Sequence, residues 1–222
     1  MNEWLILSLG LLGIWIVLFI ARPILRREML WVSVLTMPLG LTEPLFVPEY
    51  WNPPSLFNLA ARTGFDIESL IFSFALGGVA AVFYEAVTKK RHKRISEPHG
   101  KGMHWIAIAF PLIAFLPLYF FTTLNPIYSV IIAAALGAIA VIACRQDLTK
   151  QILMGGVCIA TLYFFSFLLI NLVFPKFVTY WNLSVLSGVL ILGVPLEEIL
   201  FAFTIGMVWS GMYEHIAEMG MD

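Results

Sequence analysis

Five acidic residues stand out by where they sit: Glu43, Asp66, Glu68, Glu197 and Glu198 lie at the edges of long apolar stretches rather than in polar loops. Ionisable groups are expensive at such positions, so each is a functional candidate by default. Two carboxyls held side by side away from water resist double ionisation, and the pair then keeps a proton near neutral pH. That proton suits general-acid chemistry on a hydrophobic substrate, or proton relay. Glu68 and Phe72, and likewise Glu197 and Phe201, are four residues apart and share a helix face. Glu198 is turned about 100° from Glu197, so at most one of the two shares the aromatic face. Tyr50, Trp51, Tyr180 and Trp181 offer further ring faces that can stabilise a cation. A plainer reading stands beside this one. Pro195 followed by two glutamates, and Asp66 followed by Glu68, are also ordinary helix starts, and Trp or Tyr at a span end commonly anchors it at the membrane interface.

The elements that carry these residues are membrane spans. Of the 222 residues, 60% are hydrophobic and only 12% charged, against about 25% charged in a soluble domain. A helix satisfies its own backbone and needs roughly 20 apolar residues to cross about 30 Å of hydrocarbon. Seven segments qualify: 4–21, 29–47, 67–84, 105–121, 127–144, 152–173 and 195–213. The first has no basic leader and no small-residue cleavage site, and is expected to remain in the mature protein. Assigned to alternating sides, Arg22, Arg26, Arg27, Lys101, Arg145, Lys150 and the five basic residues of 89–94 fall on one face, and only Arg62 and Lys176 on the other. Eleven against two places the N-terminus outside and the C-terminus in the cytoplasm, in what is expected to be the plasma membrane. The run at 89–94 (KKRHKR) could recognise nucleic acid or lipid headgroups, but beside a span it reads as a topology signal. All five carboxyls then lie near the outer level. The uncharged stretch 183–194 is too short to cross and is expected to fold back as an apolar cap over Glu197 and Glu198.

The two halves of the chain repeat. Phe46-Val47, Tyr50-Trp51-Asn52, Gly64-Phe65-Asp66-Ile67-Glu68-Ser69, Gly77 and Tyr84-Glu85 return as Phe177-Val178, Tyr180-Trp181-Asn182, Gly193-Val194-Pro195-Leu196-Glu197-Glu198, Gly206 and Tyr213-Glu214. The offset is 129 from the glycine onward and 130 at the Tyr-Trp-Asn triplet. Spans one to three therefore correspond to five to seven, and span four restores the orientation. The expected fold is an all-α polytopic membrane protein: two parallel three-helix repeats, 1–90 and 126–216, joined by a linker helix at 100–125, in one integral-membrane domain over 1–222. Parallel repeats tend to build a site at their interface. Glu85 and Glu214 are expected to make interface or inter-repeat contacts.

Several chemistries are missing. Asp66, Asp147 and Asp222 are the only aspartates, so there is no Asp-rich magnesium-diphosphate motif. All six lysines lie in loops or at span ends, leaving none in mid-span to hold a Schiff base. No G-x-G-x-x-G or P-loop is present. His92, His99, His104 and His215 have no metal-ligand spacing, and Cys144 and Cys158 fall in apolar segments, so neither metal nor disulfide is expected. No cofactor and no nucleic-acid partner is expected.

Pro195-Leu196-Glu197-Glu198-Ile199-Leu200-Phe201 resembles the P-x-E-E-x-x-F signature of the membrane-integral lycopene cyclase domain family, in which two three-span units form the enzyme. The resemblance implies redox-neutral cyclisation of a linear carotenoid end group, with lycopene to γ- or β-carotene as the leading activity. An acid protonates the terminal double bond, the neighbouring alkene attacks the cation, and proton loss leaves a ring. By position, Glu197 and Glu198 would supply acid and base, and Glu68 matches the first glutamate in the first repeat. There the chain reads F-D-I-E-S, with Asp66 in place of Pro and Ser69 in place of the second Glu. Phe72, Phe201, Tyr50, Trp51, Tyr180, Trp181, Glu43 and Asp66 would line the wall against a hydrophobic polyprenoid substrate. Two rivals remain: a proton-coupled transporter or channel using the same carboxyls, and a non-catalytic membrane scaffold.

Overall fold

Local signals start the helices. The computed structural model describes residues 2–88, 92–94, 101–217 and 219–221, so Lys89, Lys90, Arg91 and His99 lie outside the described residues, as does the side chain of Glu214. Helix α1 (Glu3–Ala21) is capped by Asn2, whose side-chain oxygen accepts from the Leu5 N–H at 3.0 Å. After it come α2 (Arg26–Thr36), the short α3 (Leu59–Thr63) and α4 (Ile67–Thr88). Asp66 caps α4 by accepting the Ser69 N–H at 2.5 Å. Strand β1 (His92–Arg94) leads to α5 (Lys101–Phe121) and α6 (Pro126–Cys144), the latter started by Asn125 and a first-turn proline. Helix α7 (Thr149–Val173), strands β2 (Leu190–Ile191) and β3 (Val194–Pro195), α8 (Leu196–Ala217) and β4 (Met219–Met221) complete the chain. Both β1–β4 and β2–β3 pair antiparallel.

Among the described residues, Glu3–Ala21, Ile67–Thr88, Pro126–Cys144 and Gln146–Val173 are long and apolar enough to cross a membrane, and Ala109–Phe121 is a shorter apolar helix. The segment expected as one span over 29–47 is different. Helix α2 ends at Thr36 and the chain tightens into a 3₁₀ helix over Met37–Leu45. Pro38 and Pro44 have no N–H to give an α-helical ladder, which is the physical reason for the change. The uncharged stretch 183–194 folds back as the β2–β3 hairpin. Leu192 (φ 51) and Gly193 (φ 84) form its two-residue turn.

The chain forms two compact units, one of residues 1–79 and 161–199 and the other of 80–160 and 200–222. In the first, the Trp15 indole donates to Ser33 Oγ at 2.8 Å, tying α1 to α2, and the Thr36 hydroxyl donates to the Ser73 carbonyl at 2.9 Å, tying α2 to α4. Gly40 lets the 3₁₀ helix touch α4, because a Cβ there would lie 2.5 Å from the Ser69 carbonyl oxygen. In the second, Ala138, Val141, Leu148, Ile152, Val208 and Met212 make a buried core. Gly155, Gly156 and Gly206 let α7 and α8 approach closely, the usual way helices associate where lipid removes the hydrophobic drive. Glu85 accepts from Gln151 Nε2 at 3.2 Å in this unit.

Candidate functional site

The matching triplets 50–52 and 180–182 meet in the first unit. Trp51 and Trp181 form an isolated antiparallel bridge. Its hydrogen bonds are reciprocal: the Asn52 N–H donates to the Tyr180 carbonyl at 2.8 Å, and the Asn182 N–H to the Tyr50 carbonyl at 2.9 Å. Two loops with little helix propensity are thereby locked together by backbone, and Tyr50 and Trp181 are delivered to the start of α8.

There they bind Glu198, which is 4% exposed. Oε1 accepts from the Tyr50 hydroxyl and, at 2.8 Å, from the Trp181 indole. Oε2 accepts from the Tyr163 hydroxyl of α7 at 2.7 Å. The Trp181 N–H is also 3.1 Å from the Tyr50 oxygen, so that phenol accepts from the indole while it donates to Glu198. Burial, and then the Glu198 charge, push the Tyr50 phenol well above the ordinary tyrosine range and keep it a donor. An indole can only donate. A proton on Glu198 therefore has one place, Oε2, facing Tyr163.

Aromatic rings close a circuit next to this carboxyl. Trp4 contacts Phe72 (4.8 Å between centroids), Phe72 contacts Tyr163 (6.0 Å), and Tyr163 stacks on Phe167 (4.4 Å). Phe167 contacts Trp181 (5.6 Å), Trp181 contacts Trp51 (5.7 Å), and Trp51 returns to Trp4 (4.6 Å). Six rings with negative faces, two of them hydrogen-bonded to a carboxyl, make an apolar setting that favours positive charge.

The other carboxyls differ from Glu198. Glu68, fully buried, accepts through Oε1 from the Asn2 side chain and from the Leu56 N–H at 2.6 Å. Glu197 accepts the Ser187 N–H at 2.8 Å. These two repeat-related glutamates both hold down the loop that precedes their own helix. Glu43, on the 3₁₀ helix, is 8% exposed and has Asp66 and Glu198 as acidic neighbours, with Ser69 and Trp51 beside it. Its Oε1 has no hydrogen-bond partner among the described residues. Burial pushes the Asp66 carboxyl above the ordinary aspartate range, against the pull of its bonds to Ser69.

Of the residues singled out in the sequence, Glu198, Tyr50, Trp51, Trp181, Phe72, Glu43 and Asp66 thus come together in one unit. Tyr180 points elsewhere: its hydroxyl donates to Glu3 at 2.9 Å, and burial together with Glu3 raises its phenol to about 12. Phe201 is half-buried and belongs to the second unit. Tyr163, Trp4 and Phe167 were not foreseen. A lone phenol in the middle of an otherwise apolar span was the available signal for Tyr163.

Residues 125–216 match the family model described as lycopene cyclase. No curated protein and no solved structure matches the chain.

Proposed function

We propose that this protein, whose residues 125–216 match the lycopene cyclase family model, cyclises the linear end group of a carotenoid or related polyprenoid in the membrane, with lycopene to γ- and β-carotene the leading reaction. The observation that carries this reading is the Glu198 carboxyl set against a closed circuit of six aromatic rings. The chemistry needs three things: a proton for the terminal double bond, an environment for the tertiary cation, and a base for the proton lost after ring closure. No electron is gained or lost, so a carboxyl pair and ring faces suffice in principle. Preorganised donors around Glu198 fix the carboxyl before any cation forms, which is where electrostatic stabilisation is most effective. The aromatic faces add attraction for the cation without offering a nucleophile that would trap it.

The reading carries a topology with it: seven crossings, N-terminus outside, and the site formed where the two repeats' Tyr-Trp-Asn loops pair. The backbone bonds between those loops set the two Tyr-Trp-Asn triplets side by side, as the reading requires. The test is pigment analysis of lycopene-accumulating bacterial cells expressing the chain. Ring-bearing carotenes are expected with the wild type and lost with Glu198→Gln at equal membrane content. Unchanged lycopene with well-inserted wild-type protein would overturn the lycopene assignment.

A further inference from the structure

We infer that Glu43, on the 3₁₀ helix of the first repeat, is the proton donor of the cyclisation, and that Glu198 is its partner base. The inference rests on the cyclase reading above. Both oxygens of Glu198 are taken by donors, Oε1 by two of them. Glu68 and Glu197 spend an oxygen on the backbone of their own preceding loops. An oxygen that already receives an N–H or O–H is poorly placed to deliver a hydrogen along that direction. Glu68 Oε2 meets no donor among the described residues, but Glu68 and Glu197 are tethered to their loops. Glu43 is buried with one oxygen, Oε1, likewise unpartnered among the described residues, and its neighbours are the side chains of Ser69 and Trp51 and the Glu198 carboxyl rather than a loop backbone.

The repeat explains why a carboxyl is needed there. The offset of 129 that aligns the helix starts puts Ser69 where the second repeat has Glu198. Ser69 is 3% exposed, with the Glu43 and Asp66 carboxyls as its side-chain neighbours. It lies beside Glu43, whose acidic neighbours include Glu198 itself. The first repeat has therefore lost the carboxyl from its helix, and the 3₁₀ helix supplies one from the side. Gly40 makes this possible by letting that helix rest on the Ser69 backbone. Trp51, a member of the aromatic circuit, also borders Glu43.

The step balances. Glu43 Oε1–H adds its hydrogen to the terminal alkene carbon, forming a C–H bond and leaving a Glu43 carboxylate and a tertiary carbocation. The π electrons of the neighbouring double bond form the ring C–C bond, moving the cation into the ring. An adjacent C–H loses its proton to Glu198 Oε2, the one oxygen there with room for it, and the C–H electrons become the ring double bond. Glu198 then releases its proton to solvent and Glu43 takes one up from solvent, so the substrate has only been isomerised, with one hydrogen exchanged for one from water.

The experiment gives lycopene to the purified full-length protein in lipid nanodiscs made up in D₂O, and reads the recovered pigment by mass spectrometry. Wild type is expected to give one deuteron per new ring. Glu43→Gln is expected to bind lycopene, seen by its visible absorbance, while losing about 10²–10⁴-fold in rate and returning lycopene free of deuterium. Glu198→Gln, which keeps the donor and lacks the base, is expected to return uncyclised lycopene that carries deuterium. Glu43→Asp, with the acid set back by one methylene, is expected to keep a measurable fraction of the rate with deuterium in the ring. Deuterium uptake by Glu43→Gln at the wild-type rate would overturn the donor assignment. Loss of lycopene binding in both Glu43 variants would make the residue a packing element and overturn it as well. Failure of the wild type to cyclise would instead count against the cyclase reading.

Discussion

Two tyrosines bond to the same carboxyl through different oxygens, and that asymmetry is measurable. Tyr50 shares Oε1 with the Trp181 indole, whereas Tyr163 bonds to Oε2. A hydrogen bond to a charged group contributes about 1.5–3 kcal/mol, equivalent to roughly 10- to 100-fold in rate if it is expressed wholly in the transition state. Tyr163→Phe is therefore expected to slow ring formation more than Tyr50→Phe, at equal lycopene binding. Equal losses would count against the assignment of Oε2 as the proton-accepting oxygen. Glu68 and Glu197 invite the opposite expectation. A carboxyl that acts only by accepting a loop N–H needs an acceptor and not an acid, and on that footing Gln variants stay within about threefold of the wild-type rate, whereas a larger loss would mark either glutamate as catalytic. Ala variants should lose about 1–3 kcal/mol of stability by leaving buried N–H groups unpaired. Thermal unfolding in detergent alongside pigment turnover separates the two effects.

At the scale of elements, the 3₁₀ helix over Met37–Leu45 is the part that a simple span would not have supplied. Its contact with α4 depends on Gly40, where an added Cβ would meet Ser69 backbone atoms at 2.5–2.7 Å. Backbone cannot yield as a flexible side chain can, so Gly40→Ala is expected to destabilise by about 1–3 kcal/mol and to slow turnover by displacing Glu43. Gly10→Ala meets nothing within 4 Å and should be neutral. A similar loss from both would dissolve the link between that contact and the site. The start of α4 carries a pH signature too. The Asp66 carboxyl is raised by burial, so its folded form favours the proton more than its unfolded form does. Its contribution to stability is complete below the ordinary aspartate value of 3.8 and is lost as pH rises through the folded value. Asp66→Asn keeps an oxygen for the Ser69 N–H and removes the titration, so unfolding temperatures of the variant should vary less with pH above that point.

For the whole molecule, the distribution of basic residues and the placement of the site make one joint expectation. With Cys144 and Cys158 replaced by Ala, a cysteine at Thr123 should react with a membrane-impermeant maleimide added outside intact cells, and one at Glu97 should react only after lysis. The reverse result would invert the topology and move the carboxyls to the cytoplasmic level. Membrane extraction at high pH should leave the chain in the pellet, given four described helices able to cross.

The membrane character and most of the helical segments were legible in the sequence, because each depends on local composition. Apolar runs and end-of-span charges carry their meaning without knowledge of what packs beside them. What each carboxyl does was not legible. Glu197 and Glu198 are adjacent and chemically identical, yet one accepts a loop amide and the other three aromatic donors, a division set by which loops arrive over the helix start. Tyr163 reaches Glu198 from 35 residues away and Tyr50 from 148, separations that no local spacing rule spans. The break in the second segment was written in Pro38 and Pro44, but that it brings Glu43 against Ser69 follows only from Gly40 meeting α4. Hydrogen-bond satisfaction belongs to the folded arrangement, and residue type alone does not fix it.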